Sequence, residues 1–332
     1  MQAIVVGAGG ISNAWFGPLK AEGVHVAALV DLQRERIEAQ IAKHNLAGTR
    51  ASTDLDQTLR DTPADFLLDL TIPEAHCSVT CKALEAGLPV LGEKPMAASM
   101  AEARQMVKTS QRTGRLYMVG QSRRWELGPK QFQAAIARIG QLTALHCDFF
   151  LGAHFGGFRD AMPSPLILDM AIHHFDFARF FSGQNAVSVY AEEFNPYGSW
   201  YAGDAAAHCL FDMGGGVKFT YRGNWCAEGC PTPWNGQWRA IGTRGSVLLT
   251  NDGVSGEIVS GSEGFTRTCQ PLVVPDIKLE KRTQHGELAE MLESLRTGHR
   301  PQTACEDNIH SLAMVFAAIE SSNQTRRIAV DL

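Results

Sequence analysis

The feature that most limits what this chain can fold into lies at its start. An apolar run, Ala3-Ile4-Val5-Val6, leads straight into Gly7-Ala8-Gly9-Gly10-Ile11-Ser12. A buried strand that passes through a glycine-rich turn into a helix is the opening of a dinucleotide-binding βαβ unit. Gly7 permits the tight turn, and Gly9 lets the backbone approach a pyrophosphate with no side chain between them. The amides that follow, from Gly10 and Ile11 onward, open the helix and point at the negative charge. Ser12 occupies the place of the third glycine. The next apolar run, Val24–Val30, ends at Asp31, about 20 residues beyond the glycines, where a carboxylate accepts ribose hydroxyls. An acid there repels a 2′-phosphate, which favours NAD; Arg34 stands close enough to leave NADP open. Asp31 also has the alternative role of helix N-cap, and the two are compatible.

The first 120 residues continue the alternation. Strand-like runs at Phe66–Leu70, Pro89–Leu91 and Leu116–Gly120 are separated by helical segments at Glu74–Ala86 and Ser99–Thr113, closed by Gly87 and Gly114. Strands alternating with helices predict a parallel sheet covered on both faces. Beyond residue 120 the rhythm changes. Helical segments at Lys130–Arg138 and Pro165–Phe181 precede strand-like runs at Val187–Glu192, Ala206–Phe211, Val217–Tyr221, Trp238–Ile241, Val247–Thr250 and Gly256–Val259. Strands joined by glycine turns predict an open, mostly antiparallel sheet. Helices at Glu287–Leu295 and Asn308–Ser321 close the chain. The expected architecture is an α/β Rossmann domain over residues 1–120 and an α+β substrate-binding and oligomerisation domain over 121–332.

Composition narrows the function. Of 332 residues, 45% are hydrophobic and 20% charged, ordinary for a globular chain, and the net charge is −5. The absence of a Lys/Arg-rich run argues against nucleic acid and anionic membranes as partners. No apolar stretch reaches the ~20 residues of a membrane span, and no signal-peptide pattern opens the chain, so a cytoplasmic location is expected. The eight cysteines are scattered. Cys77 with Cys81, and Cys226 with Cys230, have one-turn spacing, yet no Cys/His set completes four ligands. Buried free thiols are the stronger reading, and no metal is expected.

Two further segments carry chemistry. Glu93-Lys94-Pro95 follows the Val90-Leu91-Gly92 run, at the strand edge where open α/β sheets bind ligands. Lys94 can donate a hydrogen bond to a substrate hydroxyl and exchange a proton; a solvated surface lysine is the bland alternative. In Leu168-Asp169-Met170-Ala171-Ile172-His173-His174-Phe175-Asp176, the residues Asp169, His173 and Asp176 have i, i+4, i+7 spacing on one helix face, with His174 turned ~100° away. Histidine is the side chain suited to proton exchange at neutral pH, so His173 can take an alcohol's proton, with Asp169 orienting it. A satisfied core Asp–His pair is the competing account.

Together these segments resemble the Gfo/Idh/MocA family, named for glucose–fructose oxidoreductase and inositol dehydrogenase. The resemblance runs through Gly7-Ala8-Gly9-Gly10-Ile11, Thr71-Ile72-Pro73 with His76, Ala86-Gly87, Glu93-Lys94-Pro95, Asp169 with His173 and Asp176, Gly242-Thr243-Arg244-Gly245-Ser246, and Leu295–Ser321. It departs from the family pattern at Ala171, Pro163 and Pro165. It implies Lys94, Asp169 and His173 as the catalytic set and His173 as proton acceptor. Thr71, Pro73, His76 and Glu93 would line the cofactor site with Lys94, and the Lys94–Pro95 bond would be cis. Substrates would be sugars, polyols or their derivatives, and assembly a dimer or tetramer through the C-terminal sheet. Arg124, Trp125, His154 and Arg159 are candidate substrate contacts, along with Phe158, Trp225, Trp234 and Trp238. The expected activity is hydride transfer between NAD(H) and a secondary alcohol or carbonyl. The rival readings are a catalytically silent dinucleotide sensor and a reductase of a non-sugar substrate such as a dihydrodiol.

Overall fold

The computed structural model describes Met1–Leu332. The chain divides into two compact units, Met1–Ser122 with Glu280–Ile309, and Arg123–Leu279 with His310–Leu332.

The first unit holds a six-stranded parallel sheet built from β1 (Gln2–Val6), β2 (His25–Val30), β3 (Arg50–Ser52), β4 (Phe66–Asp69), β5 (Val90–Gly92) and β6 (Tyr117–Val119), in the order β3-β2-β1-β4-β5-β6. Its central strands are buried on both faces, which explains their unbroken apolar runs: Ile4, Val5, Leu67, Leu68, Val90 and Leu91 are all fully buried. The connecting helices are α1 (Asn13–Ala21), α2 (Arg34–His44), α3 (Leu55–Asp61), α4 (Pro73–Glu85) and α5 (Met100–Thr113). Local chemistry sets their ends. Pro73 occupies the first turn of α4, where a missing N–H is harmless. Ser99 accepts the Glu102 N–H at the start of α5, and Gly114 closes that helix at φ 65°.

The second unit holds a nine-stranded sheet. Its strands are β7 (Leu142–Phe150), β8 (Ala186–Phe194), β9 (Ala206–Met213), β10 (Lys218–Asn224), β11 (Gln237–Gly242), β12 (Gly245–Thr250), β13 (Gly253–Val259), β14 (Cys269–Pro271) and β15 (Ile328–Ala329), ordered β14-β13-β12-β11-β7-β10-β9-β8-β15. Every pairing is antiparallel except β7 with β10. Its helices are α6 (Leu127–Ile136), α7 (Ile172–Ser182) and the greater part of α9 (Cys305–Gln324), whereas α8 (Thr283–Thr297) belongs to the first unit. One sheet face is apolar. There Trp238 packs on Phe219 at 5.6 Å and edge-on to Phe177 and Phe181 of α7, each ring burying area that stabilises by ~2–3 kcal/mol.

The sequence reading assigns no element at β3, α3, β14 or β15, and three larger differences stand beside these. Strand β7 sits mid-sheet where no strand was assigned, although Leu145, Cys147 and Phe149 alternate with half-buried His146 and Asp148. The expected single helix from Pro165 begins as a π-helical turn, Leu166–Ala171, before α7. A linear division near residue 120 leaves Glu280–Ile309 with the second unit, but this segment packs into the first. His285 and Lys281 both reach Glu22 at 2.6 Å, and Glu287 accepts the Gln121 N–H at 2.9 Å. The chain returns to cover α1 and the β6 exit, which sequence rhythm does not reveal. No helix is long and apolar enough to cross a membrane.

Candidate active site

The first unit presents its chemistry at the carboxyl ends of β1, β4 and β5. The strand order reverses direction between β1 and β4, the place where open α/β sheets leave a crevice. Gly7 follows β1 with φ 101°, and a Cβ there would stand 2.5 Å from the Leu70 carbonyl oxygen, so only glycine fits. Gly9 and Gly10 are different. A Cβ on either would meet nothing within 4 Å. Their backbone therefore borders open space, as a pyrophosphate cradle requires. Ser12, in the third-glycine position, is fully buried and turns its hydroxyl back onto the Gly9 carbonyl at 2.7 Å. Its small side chain preserves the close helix–sheet packing.

Asp31 sits at the end of β2. One carboxylate oxygen accepts the Ala8 N–H at 2.8 Å and the other the Gln33 N–H at 2.9 Å. The carboxylate thus ties the glycine turn to the start of α2, while Gln33, not Asp31, is that helix's N-cap residue. Arg34 points away into an exposed pair with Glu38 at 2.9 Å.

The β4 and β5 exits are cross-braced. Asp69, fully buried, accepts hydrogen bonds from the Thr71 hydroxyl at 2.6 Å, the Thr80 hydroxyl at 2.9 Å and the Thr71 N–H at 3.2 Å. Burial pushes its carboxyl above the ordinary value, and His76 and the threonines pull it back. The sequence reading missed Asp69; an acid closing an otherwise apolar strand was the available signal. His76 lies with Nδ1 2.9 Å from the Pro95 carbonyl and Nε2 3.0 Å from the Thr71 carbonyl. Expected in the cofactor site, it instead has both ring nitrogens on backbone oxygens, strapping together the loops that follow β4 and β5. Glu93 braces the same region, accepting from the Trp15 indole at 2.9 Å and the Lys94 N–H at 3.2 Å. The Lys94–Pro95 bond is cis.

The second unit's candidate residues gather around the π-helical turn. Such turns re-aim side chains and are frequent at functional sites. Asp169 lies on it, partly exposed, and accepts from Arg159 Nε at 2.5 Å. The Arg159 guanidinium stands over the rings of Phe155 at 5.0 Å and Phe158 at 4.7 Å. His173, almost wholly buried, lies in the first turn of the regular helix beyond. His174 is fully buried among Phe149, Tyr221 and Trp238, and burial drives its pKa well below the ordinary value, so it is neutral core.

Other expected contacts lie elsewhere. Arg124 is buried, with Nε and Nη2 each 2.7 Å from Asp176, whose Oδ1 also accepts from Ser311. This pair locks α7 to the segment before α6. Arg124 is therefore structural, and Asp176 leaves the supposed polar stripe. Trp125, Trp225 and Trp238 are buried to 5% exposure or less and belong to the core, whereas Trp234 is 47% exposed. His154 is exposed, stacked on Trp200 at 3.7 Å and paired with Glu228 at 2.8 Å. No cluster of His, Cys, Asp and Glu suits a metal ion.

Comparison with known proteins agrees with this architecture. The profile of the oxidoreductase family with an NAD-binding Rossmann fold matches residues 1–121, and that of the GFO/IDH/MocA C-terminal domain matches residues 100–248. Inositol 2-dehydrogenase 1 of Paenarthrobacter aurescens is 30% identical over 65% of this chain and 65% of its own. D-apiose dehydrogenase of Paraburkholderia graminis is 27% identical over 92% of this chain and 83% of its own. The crystal structure of an oxidoreductase from Agrobacterium radiobacter in complex with NAD+, L-tartaric acid and magnesium has a TM-score of 0.86 at 21% identity, covering 99% of this chain and 98% of that one. The bare glycine cradle, the Asp31 carboxylate and the matched profiles lead to one conclusion: this chain is an NAD-binding oxidoreductase of the Gfo/Idh/MocA family.

Proposed function

We propose that the protein is a dehydrogenase of a secondary alcohol on a sugar, polyol or derivative. The observation that carries the reading is the glycine cradle beside Asp31, which suits a dinucleotide and leaves the other polar side chains for an alcohol. The names of the relatives, acting on inositol and on D-apiose, support the substrate class. NAD, when bound, supplies the hydride acceptor for the carbinol carbon. The chain's own residues do the rest. The Gly9 and Gly10 backbone and the opening of α1 hold the pyrophosphate, with Ile11, Thr71 and Pro73 bordering it. Asp31 holds the adenosine ribose and disfavours NADP, and the engagement of Arg34 with Glu38 removes the nearest cation that would favour it. His173 takes the hydroxyl proton, Lys94 is the other residue able to donate a hydrogen bond to a substrate oxygen, and Asp169 positions the substrate through its pair with Arg159.

Self-association through the open face of the nine-stranded sheet is part of the proposal. Leu210 and Val187 are 48% and 59% exposed on β9 and β8. Leu210→Glu would then lower the mass seen by sedimentation.

The deciding experiment is NADH formation against sugars, inositols and sugar acids, with NADP in parallel. Turnover with NAD supports the reading. Tight NADH binding with no turnover across the panel overturns it.

A further inference from the structure

His76 is buried to 1% exposure in the first turn of α4, and its ring is held at both ends. Nδ1 lies 2.9 Å from the Pro95 carbonyl oxygen and Nε2 lies 3.0 Å from that of Thr71. A carbonyl oxygen only accepts. A neutral imidazole has one N–H and one bare lone pair, so it satisfies one of these oxygens and turns its lone pair on the other. In a buried site that contact is costly, because neither group is paired. The imidazolium, with a proton on each nitrogen, donates to both.

A counter-charge is at hand. Asp69, buried at the end of β4, accepts from the Thr71 N–H, the Thr71 hydroxyl and the Thr80 hydroxyl. Thr71 therefore stands between the two groups, donating to Asp69 and accepting from His76. The attraction acts on Asp69, whose carboxyl His76 pulls down against the effect of burial. Tyr117 faces Asp69 from β6, but burial holds its phenol neutral, well above the ordinary value. Cys77, next to His76 on α4, also keeps its proton, pushed up to about 12 by burial; Cys81 and, from α5, Glu102 act on the same thiol. The loop after β5 brings one charge of each sign, Glu93 and Lys94. The opening of a helix disfavours a cation, and Asp69 and the first-turn acid Glu74 oppose that.

The ring also fixes the chain around Lys94. On one side the Glu93 N–H donates to the Asp69 carbonyl at 2.9 Å. On the other, His76 holds the carbonyl of Pro95. We propose that His76 is a buried imidazolium, with Asp69 as counter-ion, that positions Lys94 by tying the loop after β5 to the loop after β4. It acts through Lys94 and is a positioning residue. The charge on the ring stands on the geometry alone, whereas the role toward Lys94 rests on the dehydrogenase reading.

The first measurement needs no substrate. In protein labelled with 15N-histidine, an ordinary imidazole, titrating at about 6.5, is mostly neutral at pH 7 and shows one nitrogen without a proton. His76, assigned by the signal lost in His76→Phe or His76→Gln, is expected to show a proton on both. A neutral ring at His76 overturns the proposal. A wild-type spectrum with no doubly protonated ring among the eleven histidines overturns it without any variant. The second measurement is a double-mutant cycle on kcat. His76→Phe is expected to lower kcat by about 10²-fold with NADH affinity retained, the scale of a misplaced reacting group. In a Lys94→Met background the same substitution is expected to change kcat by no more than about twofold, since the residue it positions is gone. Losses that multiply independently overturn the positioning role. A panel without turnover sinks the dehydrogenase reading, and the nitrogen spectrum then decides the proposal.

Discussion

The two units build their sites from different materials. In the first, the cradle is backbone: glycines that leave amides bare, and one carboxylate 23 residues beyond Ala8 that holds the turn in place. In the second, the work falls to side chains brought together from far apart, Arg159 with Asp169 on the π-turn, Trp234 with Arg123, and Arg124 with Asp176. The contrast teaches where tolerance lies. A backbone site fails when a Cβ intrudes. A side-chain site fails when a charge loses its partner.

Substitutions can break that comparison, beginning with the largest effect. His173→Ala and Lys94→Met should each lower kcat by about 10²–10⁴-fold with NADH affinity retained, measured by steady-state kinetics and fluorescence titration. Unchanged turnover in either variant removes that residue from the catalytic set. Asp176→Asn should destabilise by about 3–5 kcal/mol, because Arg124 stays buried without its carboxylate, and denaturant unfolding reads this directly. An unaffected midpoint would mean the pair contributes little. Gly7→Ala should destabilise by about 1–3 kcal/mol, since φ 101° and the Leu70 carbonyl both exclude a Cβ. Gly10→Ala should leave the apo-protein's melting temperature within a degree or two and still weaken NADH binding. A large stability loss there would mean the position is structural and not part of a cradle.

The smallest expected effect concerns Glu193. Burial pushes it up to about 7, against a hydrogen bond from Ser164, the residue preceding Pro165 and the π-turn. The folded protein then keeps a proton that the unfolded chain releases near the ordinary glutamate value. The resulting stabilisation is complete below about 4.5 and is lost as pH rises through about 7. Glu193→Gln should flatten the melting-temperature profile across that window; an identical slope in variant and wild type would dismiss the group.

Much of this was legible beforehand, for physical reasons. Gly7, Gly9 and Asp31 announce themselves because a turn, a close approach and a strand end each restrict residue type at fixed spacing. Asp169 and His173 were legible as polar groups in an apolar helix. The choice between Arg123 and Arg124 was not. The two are neighbours, and only packing decides that Arg124 reaches Asp176 and Ser311 while Arg123 turns to Trp234. His76 illustrates the same limit, since nothing local says that its nitrogens meet carbonyls five and nineteen residues away.

The sequence alone determined the parallel sheet, the cofactor turn and the residues able to move a proton, because strand period, glycine geometry and side-chain chemistry are local properties. The tertiary structure alone decided which charges are neutralised. It decided that β7 joins β10 and β11 at the middle of the second sheet, and that the Glu280–Ile309 segment returns to the first unit. Long-range pairing and burial set those outcomes, and both depend on what the distant chain brings alongside.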